Sequence, residues 1–408
     1  MRWFLFIAFY VLIDIYAFQA VRVLSKSHWV LAAYLVLSLL VLGNFIYQFS
    51  QPSPGGTFSG PRSYAFGYLL AFLLGKLVVL IFMFGEDLVR MLIALFNKGM
   101  QPSSGFVLPE RRKFLGQLAL GIAAVPFLSL LYGMYRGKYN YKVLKYTLTF
   151  NNLPEAFDGY RITQISDIHS GSFDNKEKVE YGIDLINAQK GDVILFTGDL
   201  VNNKAKEMHT WKESFSKLKA PHGIYSVLGN HDYGDYVEWP SEKAKAENLE
   251  ELKNIQAEMG WDLMLNEHRH LEKDGEKIAL VGVQNWGKGG FKKKGDLDKA
   301  GEGLHPDEFK ILMSHDPSYW QEKIKSDPQN YQLTLSGHTH GMQFGIEIPG
   351  FLKWSPIEYR YKNWAGIYIE NERYINVNRG FGYLAYPGRV GIWPEVTVIE
   401  LRKGTTPA

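Results

Sequence analysis

Histidine, aspartate and asparagine residues with the spacing of metal ligands recur between residues 167 and 340. The groups are Asp167 and His169; Asp199; Asn230, His231 and Asp232; His315; and His338 and His340. In an Asp-x-His or His-x-His pair on an extended segment, both side chains point to the same side. This mixture of carboxylate, imidazole and amide groups suits Mn, Fe or Zn better than Mg or Ca. Two such ions about 3.5–4 Å apart could hold a phosphoryl group and generate a hydroxide between them.

The composition narrows the possible chemistry. The chain has 408 residues and no cysteine, which excludes disulfides, thiolate catalysis and cysteine-ligated metals. Its formal net charge of +3 gives no reason to expect a nucleic-acid partner. Any metal must therefore be held by His, Asp, Asn or Glu, in a chain long enough for two structural units.

Each group of polar residues follows a short apolar segment that is typical of a buried strand. These segments are residues 161–166, 193–197, 223–228, 310–314 and 332–336, with further strands predicted at 277–283, 374–377 and 396–401. Helices are predicted at 176–189 and 242–259. This mixture predicts an α/β or α+β layered domain over residues 146–403, and sheets of that kind deliver functional side chains to the carboxyl ends of their strands.

The first 140 residues have a different pattern and predict a transmembrane helical region. Four apolar segments, each about 20 residues long, could span a ~30 Å hydrocarbon core as helices. They cover residues 3–20, 29–49, 64–84 and 114–135, with connectors that include 51–60 and 101–105. Residues 86–96 fit either an interfacial amphipathic turn or an extension of the third helix. Asp14 and Lys76 are functional candidates because they are ionisable residues inside these segments; the alternative is that they lie near helix ends or pair with each other.

At its polar motifs the chain resembles the calcineurin-like metallophosphoesterases, over about residues 146–401. The flanking segments are similar to the membrane-associated or exported bacterial branch of that family. The resemblance implies a four-layer αββα sandwich with two divalent metal ions at one edge. It also implies the ligands of each ion: Asp167, His169, Asp199 and His340 for the first, and Asp199 again, as a bridge, with Asn230, His315 and His338 for the second. His231 would then protonate the leaving group, with Asp232 orienting its ring.

Two arginines near the end of the domain are further candidates. Arg379 and Arg389 lie in segments that match this branch, and either could bind a substrate phosphate through two hydrogen bonds. Structural ion pairs explain the two residues equally well.

The membrane side of the domain depends on a basic segment before the fourth apolar run. Arg111, Arg112 and Lys113 resemble a twin-arginine export signal, although an ordinary positive-inside anchor explains them as well. Both interpretations keep these residues cytoplasmic and place the catalytic domain outside the cytoplasm of a bacterial inner membrane. Basic residues after the fourth run, such as Arg136 and Lys138, favour the opposite side.

The leading functional hypothesis is a phosphomonoesterase, phosphodiesterase or pyrophosphohydrolase that acts on a phosphorylated small molecule, a lipid or a cell-envelope compound. One alternative is an enzyme like the UDP-2,3-diacylglucosamine pyrophosphohydrolases of lipid A synthesis, which requires a cytoplasmic site. Two alternatives come from other classes: a membrane receptor or scaffold with a vestigial hydrolase domain, and a transporter or channel formed by the four spans.

Overall fold

The computed structural model describes residues 2–53, 58, 60–96, 109–348 and 350–405. The chain divides into two compact units. The first comprises Met1–Pro52 and Gly60–Tyr135, and the second comprises Ser53–Ser59 and Arg136–Ala408.

The described part of the first unit consists of four helices. They are α1 (Arg2–Leu24), α2 (His28–Ser50), α3 (Pro61–Phe96) and α4 (Pro109–Tyr135). Each is long and apolar enough to cross a membrane, which confirms the prediction of four apolar spans. Residues 86–96 belong to α3, so the helix extension is the correct interpretation of that segment. The connector at 101–105 lies outside the described residues, and the connector at 51–60 is described only in part.

Asp14 and Lys76 pair with each other inside this helical unit. The Lys76 Nζ lies 2.7 Å from Asp14 Oδ1 and donates to Tyr10 Oη at 2.7 Å and Ser38 Oγ at 2.6 Å. The Tyr34 hydroxyl donates to the same carboxylate at 2.6 Å. Charges in an apolar interior are tolerated when they are paired and hydrogen-bonded, and here each charge has both kinds of partner.

Arg112 joins three helices in the same unit. Its guanidinium donates to Asp87 Oδ1 on α3 at 2.9 Å and to Gln19 Oε1 on α1 at 2.8 Å. One arginine of the predicted export motif therefore contributes to helix packing. The membrane side of the catalytic domain stays a prediction.

The second unit alternates strands and helices from Lys142 onward. Its strands are β1 (Lys142–Phe150), β2 (Arg161–Ile165), β3 (Val193–Phe196), β4 (Ile224–Ser226), β5 (Trp261–Leu263), β6 (Glu267–Lys273), β7 (Glu276–Gly282), β8 (Lys310–Met313), β9 (Leu333–Ser336), β10 (Ile346–Ile348), β11 (Leu352–Trp354), β12 (Gly366–Glu370), β13 (Arg373–Val377) and β14 (Glu395–Lys403). Its α-helices are α5 (Lys176–Asn187), α6 (Lys212–Phe215), α7 (Glu242–Glu258), α8 (Leu297–Ala300) and α9 (Ser318–Glu322).

The strands form two mixed sheets of six within the described residues. The first has the order β1-β14-β2-β3-β4-β5 and the second the order β12-β13-β9-β8-β7-β6, while β10 and β11 form a separate pair. All eight strands and both helices predicted from the sequence are present, with ends that differ by at most two residues. The sequence did not predict β1, β5, β6, β10, β11 or β12.

The buried side chains arrange these elements in four layers. Ile162 and Leu195 of the first sheet pack in one apolar core with Leu280 and Ile311 of the second sheet. The opposite face of the first sheet packs against α5 and α7, and that of the second sheet against α8 and α9. Alternate residues of a strand face opposite sides, so a sheet buried on both faces needs a helix layer outside it. The four-layer αββα sandwich expected from the sequence is thus confirmed.

Candidate metal centre

The predicted metal ligands, together with His231 and Asp232, lie in loops at the carboxyl ends of five strands. Strands β2, β3 and β4 are parallel neighbours in the first sheet, and β8 and β9 are parallel neighbours in the second. The carboxyl ends of such strands meet at one edge, where open α/β sheets bind ligands. The two stacked sheets therefore deliver polar side chains to the same end of the sandwich.

The backbone in these loops adopts conformations that ordinary residues avoid. Asp167, Asp199 and His338 have φ angles of 50°, 61° and 71°, and His169 and His340 are also left-handed. Such conformations of non-glycine residues are uncommon and cluster at functional sites, where the surrounding structure maintains them.

Gly198 and Gly229 allow two of these loops to approach closely. A Cβ on Gly198 would lie 2.5 Å from the backbone nitrogen of Gly229, and one on Gly229 would lie 2.2 Å from Asp199 Oδ1. Both distances are far below van der Waals contact. The missing Cβ of each glycine therefore permits the close approach of the two loops.

Asp167, His169 and His340 form the first of two possible metal-binding groups among the described residues. One nitrogen or carboxylate oxygen from each lies within 4.8 Å of the others. The Nε2 atoms of His169 and His340 are 2.9 Å apart, and His340 Nε2 is 3.3 Å from Asp167 Oδ1. The three side chains therefore direct electron-donating atoms towards one point.

Asp199, His315 and His338 form the second group, again with ligand atoms within 4.8 Å of one another. His315 Nε2 lies 3.1 Å from Asp199 Oδ2, and the Asn230 Oδ1 lies 2.8 Å from His338 Nδ1. The same Asp199 Oδ2 is 3.6 Å from His169 Nε2 of the first group. The carboxylate of Asp199 thus lies between the two groups.

The electrostatics of the pocket favour a cation. Burial lowers the pKa of His169 to about 3 and of His338 to about 4, so both imidazoles are neutral and each has one nitrogen with a lone pair. Burial also disfavours the charge of Asp199, but the nearby His315 and His231 rings outweigh it and hold the pKa of Asp199 well below its usual range. Burial by itself would lower the pKa of His315, but the Asp199 carboxylate outweighs burial and raises that pKa to about 10. A metal ion would replace that proton, so the residues fit a divalent cation whose binding releases protons.

The His231 ring lies beside the first group and is partly exposed. Its Nδ1 is 2.8 Å from the carbonyl oxygen of Asn202, and its ring centroid is 4.9 Å from that of His169. A carbonyl only accepts hydrogen bonds, so Nδ1 carries the proton and Nε2 is left with its lone pair.

Asp232 differs from its prediction as the residue that orients the His231 ring. Its carboxylate instead accepts hydrogen bonds from the backbone amides of Asp199 at 3.0 Å, Leu200 at 2.8 Å and Gly229 at 2.8 Å. The turn after β4 thus directs this carboxylate into the loop that follows β3. Asp232 therefore joins two ligand-bearing loops, and the Asn202 carbonyl is the partner of the His231 ring.

The two arginines proposed for substrate binding are buried and make internal contacts. Arg379 donates to Glu395 Oε2 at 2.5 Å and to Glu347 Oε1 at 2.6 Å. Arg389 donates to the backbone carbonyls of Gly382 and Arg379. These contacts favour structural roles, and a substrate contact of either residue stays a prediction.

Three residues that the sequence did not single out as site residues contact proposed ligands of the second metal. The Tyr361 hydroxyl lies 2.8 Å from His338 Nε2, and Asp316 Oδ2 lies 3.4 Å from the same atom. The Asn230 side-chain amide donates to the Tyr236 hydroxyl at 2.8 Å. Contacts of this kind fix the orientation of metal ligands. Asp316 could have been noticed because it directly follows His315; nothing local identifies the tyrosines.

Arg360 was also not predicted and lies close to this side of the site. Its guanidinium lies 5.3 Å from the ring centroid of Phe291 and 5.5 Å from that of Tyr361. The Phe291 ring in turn meets the His338 ring edge-on at 4.9 Å. Arg360 is exposed, and among the described residues no carboxylate lies within ion-pair distance of it.

Comparison with known proteins identifies the family. Residues 160–342 match the family model described as "Calcineurin-like phosphoesterase", and residues 1–138 match "Probable Calcineurin-like phosphoesterase, transmembrane domain". A Bacillus subtilis protein, "Uncharacterized metallophosphoesterase YkuE", is 30% identical over 300 residues, which are 72% of this chain and 98% of that protein. The chain belongs to the calcineurin-like metallophosphoesterases. This conclusion confirms the family and the enzyme class predicted from the sequence.

Similar proteins also occur in other organisms. A Danio rerio protein, "Transmembrane protein with metallophosphoesterase domain", is 29% identical over 294 residues, 70% of this chain and 62% of that relative. Among solved structures, a phosphopantetheinyl hydrolase from Mycobacterium tuberculosis matches with 13% identity and a TM-score of 0.33, covering 54% of this chain and 89% of that one.

Family membership gives the two side-chain groups a chemical context. Calcineurin-like metallophosphoesterases are metal-dependent phosphoester hydrolases that use divalent ions, and this chain carries two groups of residues that could hold them. With its four apolar helices, the chain is a membrane-associated member of the family.

Proposed function

We propose that this protein is a membrane-anchored phosphoesterase with two divalent metal ions, which hydrolyses a phosphate ester or pyrophosphate bond. The observation that carries the proposal is the position of Asp199, whose Oδ2 is 3.6 Å from His169 Nε2 and 3.1 Å from His315 Nε2. One carboxylate so placed can serve two ions at once. Two ions, when bound, polarise a phosphoryl group and lower the pKa of an attacking water.

The residues divide between the two ions by their contacts. Asp167, His169 and His340 would hold the first ion, and His315, His338 and Asn230 would hold the second, with Asp199 shared. Four imidazoles together with carboxylate and amide oxygens favour Mn, Fe or Zn. Asp232, through its backbone hydrogen bonds, would keep the loops of Asp199 and Asn230 at a fixed separation.

His231 would donate a proton to the oxygen that leaves phosphorus. The Asn202 carbonyl holds Nδ1–H, so Nε2 is the atom that gains and loses the proton. The ring is partly exposed and borders the first metal group, where a leaving alkoxide could reach it.

The substrate proposed here is a lipid or cell-envelope phosphate, because the chain fixes its catalytic unit to a membrane. Arg360 is the candidate contact for an anionic group of that substrate, since it is exposed, near His338, and without a carboxylate partner among the described residues. A UDP-2,3-diacylglucosamine-like substrate is the alternative, and it requires a cytoplasmic site. A reporter fused after Ala408 distinguishes them: an extracytoplasmic reporter signal excludes the nucleotide lipid.

The test of the proposal is hydrolysis of p-nitrophenyl phosphate and bis(p-nitrophenyl) phosphate by the full chain with added Mn. Asp199→Ala is expected to lower turnover by orders of magnitude, because both ions lose a shared ligand. Asp184→Ala, an exposed carboxylate on α5, is the matched control and should behave like the unchanged chain. Equal activity of Asp199→Ala and Asp184→Ala would refute the assignment.

The same assay decides the alternative of a receptor or scaffold with a vestigial hydrolase domain. If that alternative holds, the metal-loaded chain hydrolyses neither ester. Every proposed ligand residue is retained, which supports an active enzyme. A transporter formed by the first unit is less well supported, because the charges of Asp14 and Lys76 neutralise each other.

A further inference from the structure

Large apolar side chains are exposed on one short segment of the catalytic unit. They are Met342, Ile346, Ile348, Phe351, Leu352 and Tyr359, which we call the apolar hairpin surface. Phe351 and Tyr359 are each 82% exposed. In the rest of this unit, as far as the structure describes it, only Tyr181 and Tyr236 are exposed large hydrophobic residues. Contiguous exposed apolar residues of this kind mark an interaction site.

The hairpin has an inverted distribution of polar and apolar side chains. Strands β10 and β11 pair antiparallel, with Glu347 opposite Lys353 and Ile348 opposite Leu352, and they join neither six-stranded sheet. Glu347 contacts the buried Arg379, and the Lys353 ammonium donates to the Ala365 carbonyl. Since alternate residues of a strand face opposite sides, Glu347 and Lys353 share the face that contacts the domain, although Lys353 is still partly open to solvent. Ile346, Ile348 and Leu352 lie on the other face and are exposed.

This arrangement is the reverse of the one found in hairpins that face water. A hairpin packed on a soluble domain normally buries its apolar face and exposes its polar face. Here the ionic groups are used to attach the hairpin to the domain, through Arg379 and the Ala365 carbonyl. The outward apolar face therefore suits an apolar environment.

We propose that the apolar hairpin surface enters the interfacial region of a lipid bilayer. The chain carries four helices that are long and apolar enough to span a membrane. The catalytic unit continues the same chain from Arg136, so these helices would tether it to a bilayer. Aliphatic and aromatic side chains next to a tyrosine and an exposed arginine, as at Tyr359 and Arg360, are typical of segments that lie in the headgroup region.

The chain links this surface to the metal centre at two points. Met342 follows the proposed ligand His340 by two residues, and Tyr361, which contacts His338, follows Tyr359 by two. Insertion of the hairpin would present the metal site to phosphate groups at the bilayer surface. This inference rests on the proposed function, and it specifies the substrate as the phosphorylated headgroup of a membrane lipid.

The absence of cysteine from the natural chain makes a site-specific test direct. Phe351→Cys in the full chain is labelled with an environment-sensitive fluorophore and reconstituted into liposomes at less than one copy per vesicle. Tyr181→Cys, an exposed aromatic on α5 of the same unit, is the matched control. We expect nitroxide lipids to quench the label at 351 and aqueous iodide to quench the label at 181.

Iodide quenching at 351 equal to that at 181, without nitroxide quenching, would overturn the proposal. Adding Ile348→Ser to the labelled Phe351→Cys chain should reduce nitroxide quenching if the surface inserts as a unit; unchanged quenching contradicts that. Each labelled chain is also assayed on p-nitrophenyl phosphate. Turnover of this soluble ester tests the proposed function separately from membrane contact, so the two failures are distinguishable.

Discussion

The two units each bury a cluster of ionisable and polar groups, but the clusters differ in balance. In the helical unit, the Lys76 ammonium is matched by the Asp14 carboxylate and by the hydroxyls of Tyr10 and Ser38. In the catalytic unit, imidazoles and carboxylates point at one another, with His169 Nε2 only 2.9 Å from His340 Nε2. A cluster whose charges and donors are matched stabilises packing, whereas a cluster of lone pairs needs a cation.

The strongest test of this comparison removes the cation or one of its ligands. Chelation of the full chain, or His340→Ala, should reduce phosphoesterase activity by more than the about 10²–10⁴-fold that a general acid contributes. Metal analysis should show loss of one ion in His340→Ala. His209→Ala, an exposed histidine paired with Glu251, is the control and should retain both ions. Full metal content in His340→Ala would contradict the ligand assignment.

The second test separates the acid from the ligands. His231→Ala should lower turnover of an alkyl phosphate by about 10²-fold or more, because an alkoxide needs a proton to leave. The loss should be smaller with p-nitrophenyl phosphate, whose phenolate leaves without one. Metal content should stay unchanged. An equal loss on both esters would show that His231 does not act as the acid.

The third test addresses the balanced cluster. Lys76→Met leaves Asp14 without its ionic partner in an apolar interior and should destabilise the helical unit by about 3 kcal/mol. Lys76→Met combined with Asp14→Leu should restore most of that stability. Thermal unfolding of the full chain in detergent measures both. A stable Lys76→Met chain would show that the ion pair does not stabilise this packing.

A weaker effect is expected where Tyr361 supports the second metal group. Tyr361→Phe removes the hydroxyl that lies 2.8 Å from His338 Nε2 and should weaken binding of one metal ion about 10–100-fold. Tyr359→Phe, an exposed phenol two residues earlier, is the control. Titration of the apoprotein with Mn measures both affinities, and equal values in the two variants would exclude this role of Tyr361.

The smallest effect is expected at Arg360. Arg360→Gln should raise KM for a substrate with a second anionic group about tenfold, as one charge-assisted hydrogen bond of about 1.5 kcal/mol is lost. Its kcat should change little. Lys362→Gln, an exposed cation already paired with Glu370, is the matched control. A fall in kcat at constant KM would place Arg360 outside substrate binding.

The sequence predicted the central strands of the two sheets better than the strands at their edges. Strands such as β3 and β8 are buried along their whole length and are apolar except for Lys310, so their sequence alone identifies them. Strand β6 contains alternating charged and histidine residues at a sheet edge, and β10 exposes its apolar face. Strand β1 pairs with β14, about 250 residues later, which no local pattern indicates. Edge strands lack the continuous burial that makes a strand recognisable.

The sequence alone determined the types and spacing of the residues that could hold metal, because ligand pairs two residues apart on extended segments leave a local signature. It also determined the four apolar helices, because hydropathy requires no partner. Only the tertiary structure decided that Asn202, rather than Asp232, contacts the His231 ring, and that Arg379 is paired with Glu395 and Glu347. These contacts join backbone carbonyls or distant segments, whose positions are set by packing of the two sheets and not by the residues beside them.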